Sequence, residues 1–266
     1  MSMLKTREEI VNWLEKVKIK NYTINEDLSV DVDGGVFLSD VELEAVFPVR
    51  FGEVRGDFHF FNNNLTSLEG CPKKVGGNFN CYNNKLVSLY GGPVEVGGSF
   101  FCGLNKLTSL NFCPVSVGDE FYCSGNNLST LDDCPVSVGG TFFCNDNKLT
   151  TLLGCPVSVG RGFYCQKNCL IDLSDCPDEV AGNFNCGENK LTNLVGCPSV
   201  VGNFYCTGNK LVSLKGCPIK VGGNFNCSNN NIEESEIFLY NYSSEQIRQY
   251  YIGKNLNEKL MVGLSE

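Results

Sequence analysis

One spacing constrains this chain more than any other feature. A phenylalanine recurs at Phe58, Phe79, Phe100, Phe121, Phe142, Phe163, Phe184, Phe204 and Phe225, every 21 residues with a single 20-residue step between Phe184 and Phe204. The shortened unit lacks one residue between Pro198 and Val200. A unit this short cannot bury its own apolar side chains, so its copies must stack and share one continuous core.

The rest of the unit follows the same beat. A valine stands four places before each phenylalanine, and two places after it comes Cys81, Cys102, Cys123, Cys144, Cys165, Cys186, Cys206 or Cys227, with Phe60 in the first unit. Asparagine follows at the fifth place in every copy, from Asn63 to Asn230, leucines at the seventh and tenth as in Leu86 and Leu89, then a Cys-Pro pair as in Cys113-Pro114. F-x-C alternates as a strand does, which sends Phe and Cys inward and the residue between them to the other face. The asparagine reads as a corner whose amide bonds the backbone of adjacent coils, so that its loss would strand buried partners at about 1–3 kcal/mol. Proline fixes φ on the return side, and the glycines before the next strand mark turns.

The pattern V-x-x-x-F-x-C-x-x-N-x-L-x-x-L-x-x-C-P resembles the leucine-rich repeat, with F-x-C-x-x-N-x-L in place of L-x-L-x-x-N-x-L. Its length and prolines are similar to the short bacterial repeats of type III effector ubiquitin ligases, and its Gly-Cys-Pro and Val-Gly-Gly punctuation is similar to repeat proteins of large tailed phages. The resemblance covers about residues 54–232, with a degenerate earlier unit at Val36, Leu38, Leu43, Val46 and Pro48. It implies a leucine-rich-repeat solenoid with one parallel strand per repeat, an irregular, polyproline-like return side, and a concave strand face that binds proteins.

The two ends differ in kind. Ile10, Val11, Leu14 and Val17 give one apolar helical face between Thr6 and Ile19, Thr6 and Glu9 form a capping-box signature, and Trp13 is expected to pack with that face on the first coil. A second helical pattern starts at Ser243 with Gln246, carries Ile247, Tyr250 and Tyr251, and stops at Gly253. The expected organisation is an N-terminal helix and cap over 1–35, a solenoid over 36–232 and a C-terminal helical cap over 233–266.

Composition then narrows the function. A net charge of −9 and a pI near 4.8 disfavour nucleic acid, whose binding rests on clustered Lys and Arg. An apolar run long enough for a membrane span or a signal peptide is missing from the sequence, which leads us to expect a cytoplasmic protein, in the host cytoplasm if phage-encoded. The 16 cysteines form two ladders, the second being Cys71, Cys113, Cys134, Cys155, Cys176, Cys197 and Cys217. Without C-x-x-C pairs, and with His59 as the one histidine, they read as small reduced core residues and not as zinc ligands. Cys169, outside both ladders, is expected to be the accessible thiol. Lys85, Lys106, Lys148, Lys190 and Lys210 form a broken basic edge, read as solvated with ligand contact as the alternative.

No G-x-S-x-G, Walker-type or H-E-x-x-H signature interrupts the repeats, and no cofactor is expected. The effector ligases carry a catalytic cysteine domain after their repeats; the residues after Ile232, 233–266, are expected to be too few for one. The reading is a non-enzymatic protein-binding scaffold, implied by the phage resemblance to be an inhibitor of a host defence protein, with a structural or virion-associated repeat protein as the alternative. The residues between Phe and Cys supply the candidate face: Phe101, Tyr122, Phe143 and Tyr164 in succession, Tyr205 further on, and Phe61 and Tyr82 two places along in their coils. Ser124, Asn145 and Gln166 lie beside them as adaptable polar groups. Such a row serves either a partner or cross-strand stability.

Overall fold

The computed structural model describes residues 3–41, 43–233 and 246. Each repeating phenylalanine opens a two-residue strand, and the strands pair in parallel with equivalent residues opposite one another, as in Phe100↔Phe121 and Phe121↔Phe142. Ten such strands form one sheet from β3 (Val36–Phe37) to Phe225–Asn226, so the degenerate unit supplies a full coil. In-register pairing stacks the inward rings: from Phe58 to Phe225 successive centroids lie 5.1–6.0 Å apart. The cysteines Cys81 to Cys206 and the paired leucines lie between them, buried. The architecture is therefore a parallel-strand solenoid with the expected period, its core a column and not a ball.

The asparagine corner works as the sequence predicts. Asn126 Oδ1 accepts from the Leu107 N–H of the coil before at 3.0 Å, while its Nδ2 donates to Cys102 O of that coil at 3.1 Å and to Cys123 O of its own at 2.9 Å. Asn63 through Asn230 repeat the arrangement. Each amide thus satisfies backbone groups on two coils that no strand pairing reaches.

The return side is more ordered than expected. Besides its F-x-C strand, each coil from Lys74 to Val159 carries a second two-residue strand ending on the inward valine: Lys74–Val75, Glu95–Val96, Ser116–Val117, Ser137–Val138 and Ser158–Val159. With β1 (Tyr22–Ile24), β2 (Val30–Val32) and Phe51–Val54 they make an eight-stranded sheet. One strand per repeat becomes two short ones because the glycine after each valine lets the coils close up. A Cβ on Gly97, Gly118, Gly139 or Gly160 would stand 2.0–2.3 Å from the carbonyl oxygen of the preceding coil.

At the N-terminal end, α1 (Arg7–Lys16) is closed by the expected capping box between Thr6 and Glu9. It buries Ile10 and Leu14 and sets Trp13 edge-on to Phe51 at 6.5 Å. Between helix and coils lies a hairpin the sequence did not announce, in which β1 pairs antiparallel with β2, and β2 pairs in parallel with Phe51–Val54. The C-terminal helix expected from Ser243 lies outside the described residues apart from Gln246.

Candidate binding face

From His59 to Tyr205 the residue that follows each repeating phenylalanine sits half-buried on the outer side of the ten-stranded sheet, because strand alternation that commits Phe and Cys to the core leaves it no other side; Asn226 in the last coil is exposed. In-register pairing puts these residues one above the other. Phe101, Tyr122, Phe143 and Tyr164 consequently form one run of rings, with centroids 6.4, 5.2 and 5.0 Å apart along the column. The last pair lies nearly parallel, at 14°. The other two pairs are tilted, at 45° and 42°, so only Phe143 and Tyr164 cover one another's faces.

Neighbouring columns make room for these rings. A Cβ on Gly103 would fall 2.5 Å from the Tyr122 ring, and one on Gly162 would fall 2.7 Å from that of Tyr164. The gap at Gly103 lets Tyr122 reach Tyr82, which meets it edge-on at 5.9 Å although the two lie two coils apart. The structure thus brings Tyr82, Phe101, Tyr122, Phe143 and Tyr164 into one patch.

The other candidates fall elsewhere. Phe61 belongs to a separate cluster with His59 at 6.4 Å and Phe37, which meets His59 edge-on at 5.4 Å. Tyr205 stands apart, beyond Asn185, with no ring against it among the described residues. Phe37, 61% exposed, was not anticipated. The signal was present, since Val36 and Leu38 take the inward places of the degenerate unit and leave Phe37 the outward one. Where the column holds asparagine the side chain turns back on its own coil: Asn80, Asn185 and Asn226 each accept from the N–H two places on.

Polar groups border the aromatic patch. Ser124 Oγ donates to Asn145 Oδ1 at 2.6 Å, and Asn145 Nδ2 donates to Asp146 Oδ2. Asn183 Nδ2 donates to Tyr164 Oη at 3.3 Å. Gln166 keeps its amide oxygen buried with no hydrogen-bond partner among the described residues. Desolvation, reinforced by Tyr82, raises the Tyr122 phenol above its ordinary range. Burial lowers the His59 imidazole pKa despite Asp57 alongside, which favours its neutral form.

None of the cysteines is in a disulfide among the described residues. Burial pushes the thiols of the inner ladder far above the ordinary range, and Cys113 and Cys155 on the return side rise to about 12 for the same reason, with Asp133 and Asp175 adding to it. Cys169 is partly exposed, but so are Cys113, Cys155, Cys176 and Cys197. It is not singular in exposure, because the return-side ladder lies near the surface of a narrow core. Among the described residues no group of three or more His, Cys, Asp or Glu is placed to hold a metal ion, and no helix is long and apolar enough to cross a membrane. Lys85, Lys106, Lys148, Lys190 and Lys210 are exposed along one edge.

Neither a family model nor a curated protein matches the sequence. Solved structures do. YopM from Yersinia enterocolitica WA-314 superposes with a TM-score of 0.57 at 19% identity, covering 75% of this chain and 47% of its own, so the chain spans about half the length of that protein. A structure of YopM described as a leucine-rich effector protein from Yersinia pestis matches at 17% identity with a TM-score of 0.35, over 71% of this chain and 66% of that one. Taken with the geometry, the first likeness shows the fold: the chain is a leucine-rich-repeat solenoid.

Proposed function

We propose that this solenoid is a non-enzymatic scaffold that binds a protein on its strand face, with Tyr82, Phe101, Tyr122, Phe143 and Tyr164 at the centre of contact. The observation that carries the reading is the continuous run of half-exposed rings, bordered by polar side chains and set on a rigid sheet. Aromatic anchors with a polar rim are the composition of energetic centres in protein interfaces. The resemblance of the punctuation to phage repeat proteins supports a host protein, such as a bacterial defence factor, as the target and the host cytoplasm as the place of action.

The test is capture from bacterial lysate by the whole chain and by a variant with Tyr122, Phe143 and Tyr164 all changed to Ser. We expect one stoichiometric partner with the wild type, none with the variant, and only a modest fall in melting temperature. Capture that survives in a folded variant would move the binding surface to the Lys edge or the ends of the solenoid.

A further inference from the structure

The second sheet carries a surface unrelated to the aromatic face. Two places before the inward valine, the corner residue of four successive coils is also valine, and Val94, Val115, Val136 and Val157 are 63, 73, 57 and 79% exposed. They run beside a shallow groove of about 550 Å³ lined by Ser116, Ser137 and Ser158 with the close-packed glycines. At the N-terminal side the stripe ends in exposed Lys73 and Lys74, and at the C-terminal side in exposed Asp178 and Glu179. Asp178 and Glu179 make no ion pair among the described residues, while Lys74 has only the exposed Glu95 at 3.5 Å.

This order of residues is self-complementary. Turned by a two-fold axis between the coils of Val115 and Val136, a second stripe sets Val94 against Val157, Val115 against Val136, and Lys73 and Lys74 against Asp178 and Glu179. The neutral serines Ser116 and Ser137 face each other at the centre. Coils rise by about 4.8 Å, so the six positions from Lys73 to Asp178 extend about 24 Å. A surface that matches itself under rotation is what an isologous dimer requires, and a stripe of exposed valines has a reason to be covered.

We propose that the occupant of this stripe is a second copy of the chain, giving an antiparallel, back-to-back dimer that leaves both aromatic faces open.

The test is the mass of the full chain by sedimentation equilibrium. Wild type should dimerise, with an affinity that falls as salt rises. The double variant K73E/K74E should weaken dimerisation by about tenfold or more, because acids then face acids. Adding D178K/E179K to that same chain should restore it, since every cross-pair is again opposite in sign. The variant V115K/V136K should be monomeric, with the far-ultraviolet circular dichroism of the wild type. A wild type that stays monomeric throughout the micromolar range would overturn the proposal. So would a dimer indifferent to both K73E/K74E and V115K/V136K, or a four-fold charge exchange that fails to restore association.

Discussion

The two ladders of this solenoid answer differently to the same irregularities. The F-x-C sheet runs unbroken through ten strands, including the coil shortened by one residue, where Phe184 still faces Phe204. The valine sheet stops at Ser158–Val159, and Glu179–Val180 pairs only with Ser199–Val200 in a sheet of its own. The first ladder is held by side chains: stacked rings on the inside and an asparagine that clasps two coils. The second rests on backbone approaching backbone over a column of glycines, and the break falls where Ala181 takes the place of Gly160 and its predecessors. Val201 occupies the same place in the next coil, which lacks one residue, and there Val180 and Val200 still pair in the common register. Side-chain ladders absorb variation through rotamers and ring tilt; a backbone contact at 2 Å from a missing Cβ has nothing to give.

Alkali should break both ladders, with the largest effect. The Cys113, Cys155 and Cys227 thiols rise from the ordinary 9.0 to about 12 in the folded chain, and the other inner thiols rise further. The unfolded chain therefore loses thiol protons first. Stability is fully present below pH 9 and falls from there up to pH 12, by about 1.4 kcal/mol per pH unit for each such thiol. Melting curves from pH 7 to 11 should show this steep decline; a flat profile above pH 9 would mean the thiols are not buried in solution. In denaturant at neutral pH, thiol titration should find all 16 free.

A single cut in the side-chain ladder comes next. Phe142→Ala should cost about 3–5 kcal/mol in chemical denaturation, because rigid coils on either side cannot close the hole. Gly139→Ala tests the backbone ladder: its Cβ would stand 2.1 Å from Gly118 O, so the coil must shift, at about 1–3 kcal/mol. A smaller loss for Phe142→Ala than for Gly139→Ala would reverse the assignment of roles. The smallest effect belongs to Ala181→Gly, which should stay within about 1 kcal/mol of wild type while raising amide-exchange protection around Val180 as the valine sheet joins up. Unchanged exchange there would remove Ala181 as the cause of the break.

Much of the site could be read before the structure. Phe101, Tyr122, Phe143 and Tyr164 follow from parity within F-x-C, and the two-coil reach of the Asn63–Asn230 amides follows from their fixed place after it. Other features could not be read. Parity puts Tyr82 and Tyr205 on the same face, yet Tyr82 joins the patch only because Gly103 opens a path to Tyr122, and Tyr205 is cut off where Asn185 folds onto its own backbone. The hairpin Tyr22–Ile24 with Val30–Val32 lies outside the period and carried no repeat to identify it.

What the sequence determined by itself is the solenoid, its period, and the inward or outward fate of each repeating position. A chain of identical short units has its long-range contacts fixed by its local ones, so one unit read correctly gives all nine. What only the tertiary structure decided is everything that depends on the lateral offset and closeness of neighbouring coils: the second ladder and its break at Ala181, the tilt and grouping of the rings, and the alignment of Val94, Val115, Val136 and Val157 into one exposed stripe. Those quantities are set by how backbones settle against each other over a glycine or an alanine, a matter of ångströms that residue spacing does not encode.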